Sequence, residues 1–378
     1  VDERARPSSV LMTTDTIGGV WTYSLRLASL LAERGVTVVL ATMGDEPTSA
    51  QRRAADAVPN IELFSTRFQL EWMDDPWRDV DRAGEWLLDL ESWLAPDVVH
   101  LNTLAHAALP FQAPVVAVAH SCVLSWWRAV HGEDAPPRYR EYRERLARGV
   151  ANAAALVAPT RAMLSAVLDH YGAADGAKAI ARVIPNAAPP ATSVPAEKER
   201  LVLSVGRLWD EAKNVAALAA AAPLVAAPIA VAGSDLHPSG ARVALGPLLY
   251  LGVLPRSAIK AWLARAAIYA HPALYEPFGL SVLEAAHEGC ALVLGDIPSL
   301  RETWGPDASY VDPRDPPAIA AALNALLDDR RATAAAAARA RARAAKLTPR
   351  AHVDAYLALY AELVRSAKRA APGIVRCA

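Results

Sequence analysis

Residues 267–302, with the apolar residue before them, limit what this chain can fold into more than any other stretch. An apolar run, Ala266 to Ala270, breaks into a loop punctuated by Pro272, Pro277 and Gly279. Helical spacing then runs from about Ser281 to Gly289, and a second apolar run covers Ala291–Leu294. Strand, loop, helix and strand at these lengths make a βαβ unit. Its polar residues gather in the loop at the carboxyl end of a strand, where open α/β sheets hold their ligands. Two carboxylates flank that loop, Glu276 and Glu284.

The two carboxylates are not equivalent. Pro277 and Gly279 keep Glu276 out of the helix, so its side chain projects from the loop. Glu284 falls in the first helical turn, three residues after Ser281. The backbone N–H groups of Phe278, Gly279, Leu280 and Ser281 lie at a helix N-terminus and are free to face an anion. Ser281-x-x-Glu284 is also a capping box, which would account for both residues without a ligand.

The same alternation recurs along the chain. Ser9–Thr14 is an apolar strand that runs into Thr13-Thr14-Asp15-Thr16-Ile17-Gly18-Gly19, followed by a helix with Trp21, Leu25, Ala28 and Leu31 on one face, and by strand Val36–Ala41. Gly18 and Gly19 allow a ligand close to the backbone, or simply make a tight turn. They do not form G-x-G-x-x-G, so a dinucleotide fingerprint is absent. Residues 42–93 are less regular. There Asp75-Pro76 reads as the start of a helix through Val80, Trp86 and Leu90 rather than as part of a metal site.

Asp97–Asn102 is a short strand with a polar end, and Pro114–Ala119 is an apolar strand closed by His120. A lone histidine is either a satisfied core residue or, at a strand's carboxyl end, a cleft residue. Trp126 and Trp127 are neighbours on a helix and so diverge by about 100°. One is a candidate to line the cleft and stack on a ligand ring (a sugar or an aglycone), with a core-plus-surface pair as the alternative. Ala187–Glu199 is Pro-rich and aperiodic, a linker composition. After it, strand Leu201–Val205 leads into Gly206-Arg207 and Lys213-Asn214, two cations at a strand end that suit a diphosphate. Strands at Ile229–Gly233 and Leu249–Val253 continue the pattern. An Ala/Arg-rich helix over about Pro316–Lys346 and a last helix over 350–367 close it.

Composition narrows the function classes. The chain has 378 residues, 53% hydrophobic and 21% charged, enough for two or three domains with sizeable cores. A net charge of −1 gives no footing for nucleic acid. No apolar run reaches the roughly 18 residues of a membrane span, and the polar N-terminal residues show no signal-peptide core. Cys122, Cys290 and Cys377 are scattered and odd in number, without disulfide or metal-ligand spacing, so the expected setting is reduced and cytoplasmic.

Glu276-Pro-Phe-Gly-Leu-Ser-Val-Leu-Glu284 resembles the E-x7-E motif of retaining glycosyltransferases with the GT-B fold, in particular family GT4 (glycosyl transferases group 1). The resemblance covers most of the C-terminal half and, more loosely, the N-terminal half. It implies an α/β protein of two Rossmann-like domains facing a cleft: residues 1–188 on the acceptor side, 200–348 for the nucleotide sugar, and a helix in 349–378 returning to the first domain. It also implies roles. Glu276 lies beside the donor sugar and Glu284 holds the ribose. Arg207, Lys213 and the Phe278–Ser281 amides meet the diphosphate, Gly18 and Gly19 face it across the cleft, and His120 faces the reacting sugar or the acceptor.

The implied reaction is metal-independent hexosyl transfer with retention, from a UDP-, GDP- or ADP-sugar to a hydroxyl of a saccharide, lipid-linked sugar or small molecule, with no cofactor. A sugar-nucleotide 2-epimerase, a sugar phosphorylase and a non-catalytic nucleotide-sugar-binding subunit are the alternatives on the same scaffold.

Overall fold

A computed structural model of the chain describes residues 6–172, 179–191, 197–237 and 240–370. Its strands form two sheets. The first contains β1 (Ser9–Asp15), β2 (Thr37–Met43), β3 (Ile61–Ser65), β4 (Val98–Leu101), β5 (Val115–Val118), β6 (Ala155–Ala158) and β7 (Ile180–Val183), in the order β3-β2-β1-β4-β5-β6-β7. The second contains β8 (Glu199–Val205), β9 (Ile229–Ala232), β10 (Leu249–Tyr250), β11 (Ala266–His271), β12 (Ala291–Gly295) and β13 (Ser309–Val311), in the order β10-β9-β8-β11-β12-β13. Neighbouring strands in both sheets pair in parallel.

The apolar runs explain the sheets. β4, β5, β6, β9 and β12 are buried at every position, as strands covered on both faces must be. Strand order reverses between β1 and β4 in one sheet and between β8 and β11 in the other. The loops leaving those four strands therefore open two crevices, the places where such sheets accept ligands.

Three stretches differ from the sequence reading. The irregular region 42–93 holds a helix, Ser49–Asp56, closed by a capping box between Thr48 and Gln51, and the edge strand β3. The Ala/Arg-rich stretch is two helices, Pro316–Asp328 and Arg330–Ala344. Asp329 breaks it by accepting hydrogen bonds from the Arg331 and Ala332 N–H groups, both at 2.9 Å. Strand β10 has only two residues, exposed at an edge, because the run expected to reach Val253 turns away at Gly252.

The last helix, Pro349–Ala370, packs Val353, Tyr356, Tyr360 and Leu363 against Val10, Met12, Leu27 and Val116 of the first sheet's core. Each such burial contributes about 1.5–3 kcal/mol, which ties the end of the described chain to the beginning. Cys377 lies outside the described residues, as does part of the linker, 192–196.

Gly233 shows how tightly the second crevice is built. Its φ is 133°, and a Cβ there would fall 1.7 Å from the Gly206 carbonyl oxygen, beside Arg207. Only glycine lets these strand ends approach so closely. Gly233→Ala is expected to destabilise the second domain by about 3 kcal/mol or more, read as a lower midpoint in urea unfolding.

Candidate functional site

The two crevices face each other, and glycine is what brings them into contact. Gly18 has φ 72°, and a Cβ added to it would sit 3.3 Å from an Arg207 guanidinium nitrogen. One added at Gly19 would be 3.9 Å from Leu280 Cδ1. The turn after β1 thus meets both the loop after β8 and the helix Leu280–His287 that follows β11.

Glu276 is the centre of the second crevice. Its side chain is only 12% exposed. Oε2 accepts from Lys213 Nζ at 2.7 Å and lies 3.0 Å from His271 Nε2, and Ser299 Oγ donates to the Glu276 carbonyl oxygen at 2.5 Å. Burial opposes its ionisation, but the Lys213 ammonium and the His271 hydrogen bond outweigh that and hold the carboxyl well below the usual carboxylate range. The group is therefore a fixed anion, able only to accept hydrogen bonds.

Arg207 pairs with Asp210 at 2.9 Å. Asp210 is buried and also accepts from the Ala212 N–H at 3.1 Å and from Trp126 Nε1 at 2.9 Å. Burial works against its charge, and Lys213 and Arg207 more than compensate, so its carboxyl too stays low. On the facing domain Asp15 ends β1 and accepts from the Ile17 N–H at 2.8 Å. Burial pushes its carboxyl up to about 6, against the pull of that hydrogen bond and of Arg207.

The helix after Gly279 is not closed by a capping box. Gly279 itself is the cap residue, at φ 89°, and makes no side-chain cap. The ladder begins with the Leu283 N–H donating to the Gly279 carbonyl at 3.0 Å, so the Leu280 and Ser281 N–H groups precede it. Phe278 is buried, and its N–H is 3.5 Å from Glu276 Oε1. Glu284 turns instead to two arginines, Arg256 at 3.2 Å and Arg26, which reaches across from the helix Gly19–Ala32. Burial raises the Glu284 carboxyl, with Arg256 and His287 pulling the other way. Arg26 keeps Nε and one terminal nitrogen buried without a partner among the described residues. A cavity of about 160 Å³ opens beside it, walled by Tyr23, Asn186, Leu280 and His352.

The other sequence candidates separate. His120 sits at the end of β5, its Nε2 2.7 Å from Asn102 Oδ1 and its ring edge-on to Tyr23 at 4.3 Å. Trp126 faces the second domain through Asp210. Trp127 packs against His131, with ring centroids 4.3 Å apart, and under Arg138. Arg26, Asp15, Asp210 and His271 were missed by the sequence reading. His271 carried a usable signal, an apolar strand ending in histidine, the same pattern that singled out His120. Arg26 carried none, because nothing in its helix marks which charged residue reaches another domain.

Chemically, the second crevice offers two cations, Arg207 and Lys213, and unladdered N–H groups at a helix start, a set that suits a dianion. Beside it stands a hydrogen-bond-accepting carboxylate suited to hydroxyls. Among the described residues no group of three or more His, Cys, Asp or Glu is placed to hold a metal, and no helix is long and apolar enough to cross a membrane.

Comparison with known proteins accords with this arrangement. Residues 17–191 match the family model described as Glycosyltransferase Family 4, and residues 199–329 match Glycosyl transferases group 1. A stretch of 85 residues is 38% identical to the O-antigen chain mannosyltransferase B of Escherichia coli, covering 22% of this chain and 22% of that protein. Among solved structures, the sucrose-phosphate synthase of Thermosynechococcus elongatus superposes with a TM-score of 0.78 at 18% identity, over 95% of this chain and 100% of that one. Anabaena HepE in complex with UDP-glucose gives 0.71 at 17%, over 95% and 99%. At such identities these structures speak for the fold, two Rossmann-like domains in the GT-B arrangement.

Lys213 and Glu276 supply a pH test. The Glu276 carboxyl is depressed in the folded state, so its contribution to stability is complete above the unfolded value near 4.3 and is lost as pH falls through the folded value. Lys213→Met should cost about 3 kcal/mol at pH 7 by stranding a buried anion. The gap from wild type should narrow below about pH 4, measured by chemical denaturation across pH.

Proposed function

The chain belongs to the family 4, group 1 glycosyltransferases, and from that premise we propose that it moves a hexosyl group from a nucleotide sugar to an acceptor hydroxyl, with retention and without a metal. The observation that carries this reading is the buried Glu276–Lys213–His271 cluster beside Arg207 and the start of the helix Leu280–His287. A UDP-sugar is one candidate donor, since the related fold of Anabaena HepE binds UDP-glucose; GDP- and ADP-sugars are the others.

In this reading the bond from the anomeric carbon to the diphosphate oxygen breaks, and a bond to the acceptor oxygen forms. The products are a glycoside, a nucleoside diphosphate and the acceptor's proton. Arg207, Lys213 and the Leu280 and Ser281 N–H groups stabilise charge as it builds on the departing diphosphate, the largest single contribution in reactions of this kind. Two side-chain cations and a helix start supply the positive field a metal would otherwise bring. Glu276 accepts hydrogen bonds from the donor sugar's hydroxyls, and Lys213, already on its Oε2, bridges sugar site and phosphate site. Glu284 takes the ribose hydroxyls, exchanging Arg26 for them. Gly18 and Gly19 leave room for the diphosphate beside Arg207. The acceptor enters on the first domain's side, near His120, with Trp126 at its border and Trp127 one position further round the helix. The free thiols of Cys122 and Cys290 support a reducing, cytoplasmic setting.

Incubation with a panel of UDP-, GDP-, ADP- and dTDP-sugars in EDTA, with candidate acceptors, is expected to release nucleoside diphosphate from one donor. Glu276→Ala and Lys213→Ala should lower kcat about 100-fold or more. Turnover that requires a divalent cation would overturn metal independence. An inverted anomeric centre in the product NMR spectrum would overturn retention, and full activity in Glu276→Ala would remove the site.

A further inference from the structure

The surroundings of His120 fix which of its nitrogens carries the proton. Asn102 follows β4, and its backbone N–H donates to Thr13 Oγ1 at 2.8 Å, which anchors the residue against β1. Its side-chain nitrogen lies 2.6 Å from the Thr13 carbonyl oxygen and 3.1 Å from Ser24 Oγ. A carbonyl oxygen only accepts, so the group facing it must be the amide NH2. The amide oxygen is then turned to His120 Nε2, 2.7 Å away. Since that oxygen also only accepts, Nε2 must carry the hydrogen, and Nδ1 is left as the nitrogen with a lone pair.

The groups around the ring reinforce this. Tyr23 packs edge-on from the first helix, and His352 and Tyr356 of the last helix pack in turn on the Tyr23 ring. His100, on β4, shares the Asn102 oxygen at 3.3 Å and meets the Tyr360 hydroxyl through Nδ1 at 2.6 Å. All are held neutral: burial pushes the three tyrosines up and His100 and His352 down. Burial likewise pushes His120 down to about 3, and a cation there would also be opposed by any charge on His352. Among the described residues no charge faces the imidazole that would favour its cation.

We propose that Asn102 is the positioning residue for His120, locking it as the Nε2–H tautomer so that Nδ1 serves as a fixed acceptor for a hydroxyl of the donor sugar or the acceptor. The substrate half of this inference rests on the transferase reading above; the tautomer half does not. His120 then works as a neutral hydrogen-bond acceptor and never as an imidazolium. The last helix takes part through Tyr360, His100 and the shared Asn102 oxygen, although it is far from β4 in sequence.

The test begins with long-range ¹H–¹⁵N spectra of the histidine rings in the whole wild-type chain, with His120 assigned by its loss in His120→Gln. The expected spectrum shows a neutral ring protonated at Nε2 from pH 5.5 to 8.5. A ring protonated at Nδ1, or one that titrates in that window, overturns the proposal. Asn102→Asp keeps the shape, gives up the hydrogen bond to the Thr13 carbonyl, and places a carboxylate on Nε2, which favours the cation. His120 should then titrate inside the window, and kcat should fall as pH drops through that new value, while wild type shows no such limb.

Asn102→Ala should mix the two tautomers and lower kcat about tenfold with the donor KM within about twofold, because the diphosphate cradle lies on the other domain. A tautomer unchanged in Asn102→Ala, or an altered tautomer with wild-type kcat, overturns the positioning role. Absence of turnover by wild type with every donor would count against the transferase reading instead, and the ring spectra would still decide what Asn102 does.

Discussion

A buried carboxylate needs a cation, and much of this molecule is arranged so that Glu276 has one. Lys213 reaches it from the loop after β8, His271 from the end of β11, and the Phe278 N–H from its own loop. The pair can form because β8 and β11 are neighbours in the sheet while the crossover between them carries the chain through β9 and β10. Taking either partner away leaves a charge in a place that water barely reaches, which is costly. The same neighbourhood gives Arg207 and Asp210 their pairing, so the cations of the crevice are ordered before any ligand arrives.

The seam between the two domains follows the same logic of satisfying what is buried. Trp126 donates to Asp210, and Glu302 of the second domain accepts from the Arg161 and Ala162 N–H groups at the start of the helix Arg161–Tyr171, at 2.8 and 3.0 Å. Arg314 donates to the Ala129 and Val130 carbonyls at the end of the helix Val123–His131. Anion at a helix start and cation at a helix end both match the helix dipole. Arg26 on Glu284 belongs to this set but is incomplete, with two of its nitrogens unpaired among the described residues and a cavity beside it.

Legibility in the sequence tracked how local each cause was. The apolar runs at Ser9–Thr14, Pro114–Ala119, Leu201–Val205 and Ala266–Ala270 each became a strand within a few residues, because a strand buried on both faces has few alternatives. The edge strand β3 was missed, since Ile61–Ser65 is only part-buried and Glu62 interrupts it. The Ala/Arg-rich stretch looked like one helix because alanine favours helix everywhere, and the break depends on one aspartate, Asp329, capping the helix Arg330–Ala344. The capping-box alternative for Ser281 and Glu284 failed for a local reason too: Gly279, in a left-handed conformation, already caps the helix two residues earlier.

The sequence by itself determined the alternation of strands and helices, the strand ends at which polar residues collect, and the E-x7-E spacing that sets Glu276 in a loop and Glu284 on a helix. These follow from side-chain period and from the backbone limits of proline and glycine, which act over a few residues. Only the tertiary structure decided that Lys213 serves Glu276, that Arg26 crosses to Glu284, that Asn102 orients His120, and that the last helix joins the first domain's core. Those pairings join residues 18 to more than 300 positions apart, and they are chosen by which buried charge or hydrogen-bond donor finds a partner once the sheets have stacked their helices. No local pattern encodes that choice, because it is made by the cost of leaving such a group unpaired away from water.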